Sequence, residues 1–382
     1  MESAFRAERA IASSGTSSWV VVDDAYELHV EATAFLAGLR ARGLSVNTER
    51  LYAGRVAQYL SYCATRGLPW SQPGFLGLRG FQDWLVSEPA PPRRRGGRAR
   101  LRAPGTANAV LTSVAGFLRF GATQGWVPDQ TVSVLVGPTS WQSVSPPGFD
   151  PGEAGQWRPV TRATLRFRTV EPGVEVLSDA QIRQLQTLTG RARDRFLIAL
   201  LACTGVRIGE ALGLRREDMH LLATSTGLGC EISGPHIHVR RRADNANGAL
   251  AKSRYPRVIP VTADLVAAYT DYRRERDRVA EAGETDMVLV NLFRAPLGRA
   301  MRYPAVHEMF ERLSAAAGFR VRPHLFRHTA ATRWLAAGVD RDVVQHLLGH
   351  VSPSSMQPYL HVDARATRDA VERVAATTAA TR

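Results

Sequence analysis

A stretch rich in Pro, Gly and Ser, residues 137–172, separates two long runs of helical periodicity and constrains the fold more than any other feature. Pro146-Pro147-Gly148 and Pro151-Gly152 cannot lie inside a helix or a central strand. The stretch reads as an interdomain linker over 137–173, with Trp141 and Trp157 as side chains able to pack. At 382 residues the chain has room for one domain on each side. Its 45% apolar and 22% charged composition is that of a folded protein.

On the N-terminal side, residues 1–24 show little periodicity and are expected to form a flexible arm. Residues 25–136 then read as a small helical domain. Leu28, Phe35 and Leu36 open one amphipathic stretch, and Leu51, Val56, Tyr59, Leu60 and Cys63 mark a second, with Ser45 or Asn47 as its cap. Phe75 to Val86 forms a third. Leu111, Val114, Phe117 and Leu118 define a fourth that ends near Gly121 or Gly125. Between the last two lies an arginine run from Pro91 to Arg102, with six arginines and no acid. Such a segment cannot bury a core and reads as a loop. Arg93, Arg94, Arg95 and Arg98 there are candidate DNA-phosphate contacts; a solvated insertion is the equally weighted bland reading.

The second domain covers 174–382. Ser178 followed by Gln181 is a capping-box signature. From there the chain reads as mostly helical, with one interruption from Cys230 to Thr262. His236-Ile237-His238-Val239 and Arg257 to Val261 read as strands, joined through Asp244-Asn245-Ala246-Asn247-Gly248.

The formal charge of +14 points to an anionic partner, nucleic acid before a membrane surface. Arginine outnumbers lysine, which suits bidentate phosphate contacts. Cys63, Cys203 and Cys230 read as too few and too scattered for a disulfide framework or a zinc site. Met1 to Gly15 lacks an apolar signal core, and the longest apolar run, Phe196 to Cys203, is too short to span a bilayer. A soluble, cytoplasmic protein is expected.

Three segments carry residues suited to chemistry. In the first, Thr204-Gly205 breaks a buried helix and Arg207 starts another, with Glu210 three residues on and able to hold its guanidinium. Alone, such a pair is usually a surface salt bridge; its apolar setting favours a fixed arginine. In the second, Pro323 suits a first helical position and Gly338 a stop. His324, Arg327, His328 and Ala331 share one stripe of that helix, while Phe326, Ala330 and Trp334 form a core stripe. A zinc site on His324 and His328 lacks the His-Glu-x-x-His pattern and ranks below phosphate binding. In the third, Asp340 is a candidate N-cap, Val343, Val344, Leu347 and Leu348 give a helix face, and Gly349 ends it. His350 follows at once, and Tyr359 comes nine residues later.

Taken together, Thr204-Gly205-x-Arg207-x-x-Glu210-x-Leu212, His324-x-x-Arg327-His328-Thr329 and Leu348-Gly349-His350 with Tyr359 resemble the tyrosine recombinase, or phage integrase, family of site-specific DNA recombinases. The resemblance covers residues 177 to about 375, and 25–136 is similar to the family's core-binding domain. It implies a mainly α fold with a small β-hairpin or sheet (α+β). It further implies that a helical core-binding domain and a C-terminal catalytic domain clamp duplex DNA. It implies a catalytic set of Arg207, Lys252, His324, Arg327, His350 and Tyr359, with Lys252 on a hairpin before the Arg257 strand. Phe326 stands where the family usually has Leu, and Pro358 precedes the nucleophile without an N–H.

That set suits phosphodiester chemistry. Two guanidiniums can hold the non-bridging oxygens and stabilise transition-state charge. A tyrosine, with an ordinary pKa of about 10, needs cationic surroundings or a base, which His324 or His350 supplies. The leaving 5′-hydroxyl needs a proton, for which Lys252 is the donor. The resemblance implies a 3′-phosphotyrosyl intermediate formed with no cofactor, metal or ATP. It also implies a homotetramer on paired sites of double-stranded DNA, monomeric when free, and the segment 240–252 leans toward a mobile element. A type IB topoisomerase, a catalytically inert DNA-binding regulator and a metal-dependent nuclease are the competing readings. The complete residue set opposes the regulator, and the lack of an acidic cluster opposes the nuclease.

Overall fold

The expected fold class, helices with small sheets, is the one found. A computed structural model describes residues 4–13, 15, 17–90, 99–139, 160–163, 165–169, 173–253 and 255–349. The chain divides into two units, residues 1–171 and 172–382.

The first unit corrects the expectation of a flexible arm. Strands β1 (Phe5–Ile11) and β2 (Ser17–Asp23) form an antiparallel hairpin, with Phe5 opposite Asp23 and Ile11 opposite Ser17. The β-branched run Val20-Val21-Val22 is the strand signal, and Val21 is fully buried. The hairpin is bonded to a helix: the Phe5 N–H donates to Ser61 Oγ at 2.9 Å and the Trp19 N–H to Glu49 Oε1 at 2.8 Å.

Behind it lie the four expected helices, α1 (Val30–Ala41), α2 (Val46–Thr65), α3 (Gly74–Ser87) and α4 (Pro104–Thr123), with α5 (Asp129–Leu135) unanticipated. Ser45 caps α2, its Oγ accepting from the Thr48 N–H. His29, not Leu28, opens α1, and Leu28 is exposed. Phe35, Leu36, Val56, Tyr59, Leu60, Phe81, Val114, Phe117 and Leu118 make the core. Arg102, the last residue of the arginine run, is structural: its guanidinium donates to the carbonyls of Leu85 and Glu88 where α3 ends. Arg93, Arg94, Arg95 and Arg98 lie outside the described residues. The ends of the expected linker pair as two short antiparallel strands, β3 (Val136–Thr139) and β4 (Val160–Ala163).

The second unit holds α6 (Asp179–Thr187), α7 (Ala192–Thr204), α8 (Ile208–Leu212), strands β5 (Met219–His220), β6 (His236–Val239) and β7 (Arg257–Pro260), and helices α9 (Ala263–Arg276), α10 (Tyr303–Ala317), α11 (Pro323–Ala336) and α12 (Arg341–Leu348). The capping box at Ser178 and Gln181 closes both ways, at 3.2 and 2.9 Å. Helix α7 is buried on nearly all sides through Phe196, Leu197, Ile198, Leu200 and Leu201, so the other elements pack around it. Both expected strands are present. They form an antiparallel three-stranded sheet in the order β5-β6-β7, with His220 opposite His236 and Val239 opposite Arg257. No described helix is long and apolar enough to cross a membrane.

Candidate active site

The site grows out of the break between α7 and α8. Gly205 ends α7 in the left-handed region at φ 59°, where a side chain would be strained. A Cβ there would also approach Ala330 Cβ and Leu348 Cδ2, both at 3.1 Å, so Gly205 lets α11 and α12 close onto the turn. Two residues on, Arg207 occupies the N-cap position of α8.

Glu210 fixes the turn. Its carboxylate accepts the Arg207 N–H at 2.9 Å and Arg207 Nη1 at 3.2 Å, the pairing expected from spacing. It also accepts Arg257 Nη2 at 2.7 Å and Nη1 at 3.3 Å. Arg257 was read only as a strand residue. The signal was its parity: Arg257 and Ile259 alternate onto the face that enters the core, where an unpaired arginine is not tolerated. Burial alone would raise the Glu210 pKa. The bonds from Arg257 and the Arg207 backbone outweigh it and hold the carboxyl below its usual range. Arg257 Nε donates to the Leu347 carbonyl at 2.8 Å, which ties the sheet to the end of α12.

Arg327 makes the complementary tie from α11. Its Nη1 donates to the Gly205 carbonyl at 2.9 Å and its Nη2 to the Leu348 carbonyl at 2.6 Å. The residue is 1% exposed, as is Thr329, whose Oγ1 accepts the Leu177 N–H. The α11 stripe is therefore no solvated face: Arg327 and Ala331 are buried, His328 is half-buried and only His324 is exposed. His324 and His328 stack edge to face at 4.3 Å between ring centroids. Although His324 reaches the surface, partial burial, His328, Arg327, Arg207 and Arg322, in that order, bring its pKa down to about 4. Burial, then Arg327 and Arg322, lower that of His328 as well.

Lys252 stands on the β6–β7 connection, exposed between buried Ala251 and Ser253. The arm is rooted against α8, because a Cβ on Gly209 would come within 2.8 Å of the Leu250 carbonyl. Gly349, at φ 63°, ends α12, and a Cβ there would press on the Arg257 guanidinium at 2.8 Å. His350 and Tyr359 lie outside the described residues. Four residues of the expected catalytic set, Arg207, Lys252, His324 and Arg327, are described. Arg207 lies on the Gly205–Glu210 turn, Arg327 is bonded to the Gly205 carbonyl of that turn, and His324 stands three residues before Arg327 on α11.

A second cluster is hidden from a count of cysteines, because it holds only one of them. Cys230 lies with His220, His236 and His238, the four donor atoms all within 4.8 Å of one another. One cysteine among histidines suffices for a metal centre, so the scattering of the cysteines does not speak against zinc.

Residues 175–365 match the phage integrase family. Over 347 residues, 90% of each chain, the sequence is 25% identical to transposase A from transposon Tn554 of Staphylococcus aureus. It is 27% identical to the tyrosine recombinase XerD of Mycobacterium tuberculosis over 334 residues, 86% of this chain and 91% of the relative. Among solved structures, the Tn1549 transposon integrase in complex with a circular intermediate DNA matches with a TM-score of 0.59 at 17% identity, covering 90% of this chain and 99% of that one. The XerH site-specific recombinase bound to difH substrate matches at 0.55 and 17% identity, over 90% and 85%. At such identities the structures establish the fold. The family match and the recombinase relatives define a tyrosine recombinase, a DNA strand-transferring enzyme. The chain belongs to the phage integrase family.

Proposed function

We propose that this protein is the site-specific recombinase of a mobile element and that it cuts double-stranded DNA with the Tyr359 hydroxyl, conserving the bond as a 3′-phosphotyrosyl link. In this reading Arg207 and Arg327 hold the non-bridging oxygens of the scissile phosphate. Lys252 protonates the departing 5′-hydroxyl, and His324 and His350 hydrogen-bond the phosphate or take the tyrosine proton. Attack by a 5′-hydroxyl from another strand then completes the exchange, with neither ATP nor a metal in the chemistry. The bond from Arg327 to the Gly205 carbonyl, on the turn that also carries Arg207, supports the proposal. Fixed cations placed before the reaction need no reorganisation as transition-state charge develops.

The mobile element is favoured by the transposon origin of relatives that align over nearly the whole chain. The two units are read as a clamp around the duplex, with Arg93, Arg94, Arg95 and Arg98 contacting phosphates and four protomers acting on paired sites. The net charge of +14 suits many phosphate contacts, so affinity should fall steeply with salt. Tyr359→Phe tests the nucleophile, since it removes one hydroxyl and almost no volume. DNA binding should persist while the denaturation-resistant protein–DNA adduct disappears. An adduct formed by the Phe variant overturns the assignment.

A further inference from the structure

The sheet of the second unit has two faces. Ile237, Val239, Arg257 and Ile259 point into the core. By the period of two, His236 and His238 share the opposite face of β6. His220 lies directly across from His236 in the register, and the 221–235 loop brings Cys230 to the same place. None of these four residues takes part in the proposed DNA chemistry.

We propose that His220, Cys230, His236 and His238 form a tetrahedral zinc site that pins the 221–235 loop to the sheet. The spacings fit a metal. Zinc bonds of about 2.0–2.1 Å to nitrogen and about 2.3 Å to sulfur put tetrahedral N–N pairs about 3.3 Å apart and N–S pairs about 3.6 Å apart. His236 Nε2 and His238 Nε2 lie 3.2 Å apart, and Cys230 Sγ is 3.3 Å from the first and 3.6 Å from the second. The widest separation, within 4.8 Å, closes with a small movement of one side chain.

The tautomers, assigned from their partners, agree. His236 Nδ1 lies 2.7 Å from the Gly234 carbonyl, to which it donates, and this leaves the Nε2 lone pair facing the cluster. His220 Nε2 lies 3.1 Å from the Glu217 carbonyl, which leaves Nδ1 as the lone-pair nitrogen. That Nδ1 is buried and has no hydrogen-bond partner. A buried acceptor without a donor is costly, and a cation resolves it. Imidazoles oriented through their second nitrogen by carbonyls are the usual outer shell of a zinc site. One thiolate and three imidazoles suit zinc and do not suit magnesium or calcium. His220 and His236 are buried while Cys230 and His238 are half-exposed, which leaves a path for entry.

The role is structural. With all four positions filled by protein there is no open coordination site for substrate. The bound sheet carries Arg257 on β7 and sends out the arm that bears Lys252. Its loss should loosen both without removing any group from the proposed reaction.

The test uses the untagged full-length protein, saturated with zinc and desalted, with metal measured by mass spectrometry. About one zinc per chain is expected. It should fall at least tenfold in the double variant Cys230→Ser, His238→Gln. Stripping with a strong chelator should lower the melting temperature of the wild type by several degrees and leave that of the double variant unchanged. Should the double variant fail to fold, cobalt(II) added to stripped wild-type protein gives an independent reading. A tetrahedral site with one thiolate produces intense visible d–d bands and a near-ultraviolet sulfur-to-cobalt band. The site is refuted by wild-type protein without zinc and without those bands, or by zinc retained in full by a folded double variant. Tyr359→Phe should bind zinc as the wild type does, so failure of the metal site and failure of the proposed nucleophile are separable.

Discussion

Arg257 closes both terminal nitrogens on Glu210, at 2.7 and 3.3 Å, and so holds in place the carboxylate that in turn holds Arg207. The pair is almost wholly buried. Breaking a buried pair leaves one charge without its partner, at a cost of about 3–5 kcal/mol. Arg257→Met should therefore lower unfolding free energy by that order in denaturant titrations. The double variant Arg257→Met, Glu210→Gln should be less destabilised than the two single changes added together, because neither charge is then stranded. Additive losses would mean that the pair contributes no coupling. Cleavage should fall in both single variants, through displacement of Arg207, while DNA affinity changes little.

His324 carries a sign that can be worked out. Its ordinary pKa is 6.5 and its folded value is about 4, so folding favours the neutral imidazole. Its share of stability is complete above pH 6.5 and is lost as pH falls through that window toward 4. Proton titration by NMR should show the His324 ring still neutral at a pH where exposed histidines are half charged. His324→Gln should flatten the acid limb of the stability profile. A ring that titrates at its ordinary value contradicts the burial and the cationic surroundings described for it. Adding DNA should move the pKa upward, since a phosphate beside His324 offsets Arg207 and Arg327. In the free protein this histidine is then suited to hydrogen bonding, and it gains basicity only as substrate arrives.

How much of this was legible in the sequence follows from the range of each interaction. The α2 and α6 caps, the stop at Gly349 and the Arg207–Glu210 pair span only a few residues, and all were readable. The helix faces were readable too, except where tertiary packing decides: Leu28, Leu51 and Val343 fit the periodicity yet are exposed. The β1–β2 hairpin was missed although Val20-Val21-Val22 is a strand signal, because its docking partners, Ser61 and Glu49, lie far along the chain. Arg257 was missed for the same reason, since its partners lie 47 and 90 residues away. His236 and His238 alternate onto one face of their strand and were readable as a pair, but only the strand register brings His220 to His236.

Lys252 is the residue whose role is most sharply separable by chemistry. It is exposed, and the arm carrying it is held at its root by packing of the Leu250 carbonyl over Gly209. If Lys252 protonates the leaving 5′-hydroxyl, its loss matters only where the leaving group needs a proton. A 5′-bridging phosphorothiolate leaves as a thiolate, a much weaker base. Lys252→Ala should therefore slow cleavage of ordinary DNA by about 10²–10⁴-fold, the usual range for a general acid, and cleavage of the phosphorothiolate far less. Gly209→Ala should give the same pattern in milder form, because the added methyl group presses on both the Tyr303 hydroxyl and the Leu250 carbonyl and so displaces the arm. Single-turnover cleavage of the two substrates by each variant measures this directly. Equal slowing on both substrates would reassign Lys252 to stabilising charge on the phosphate.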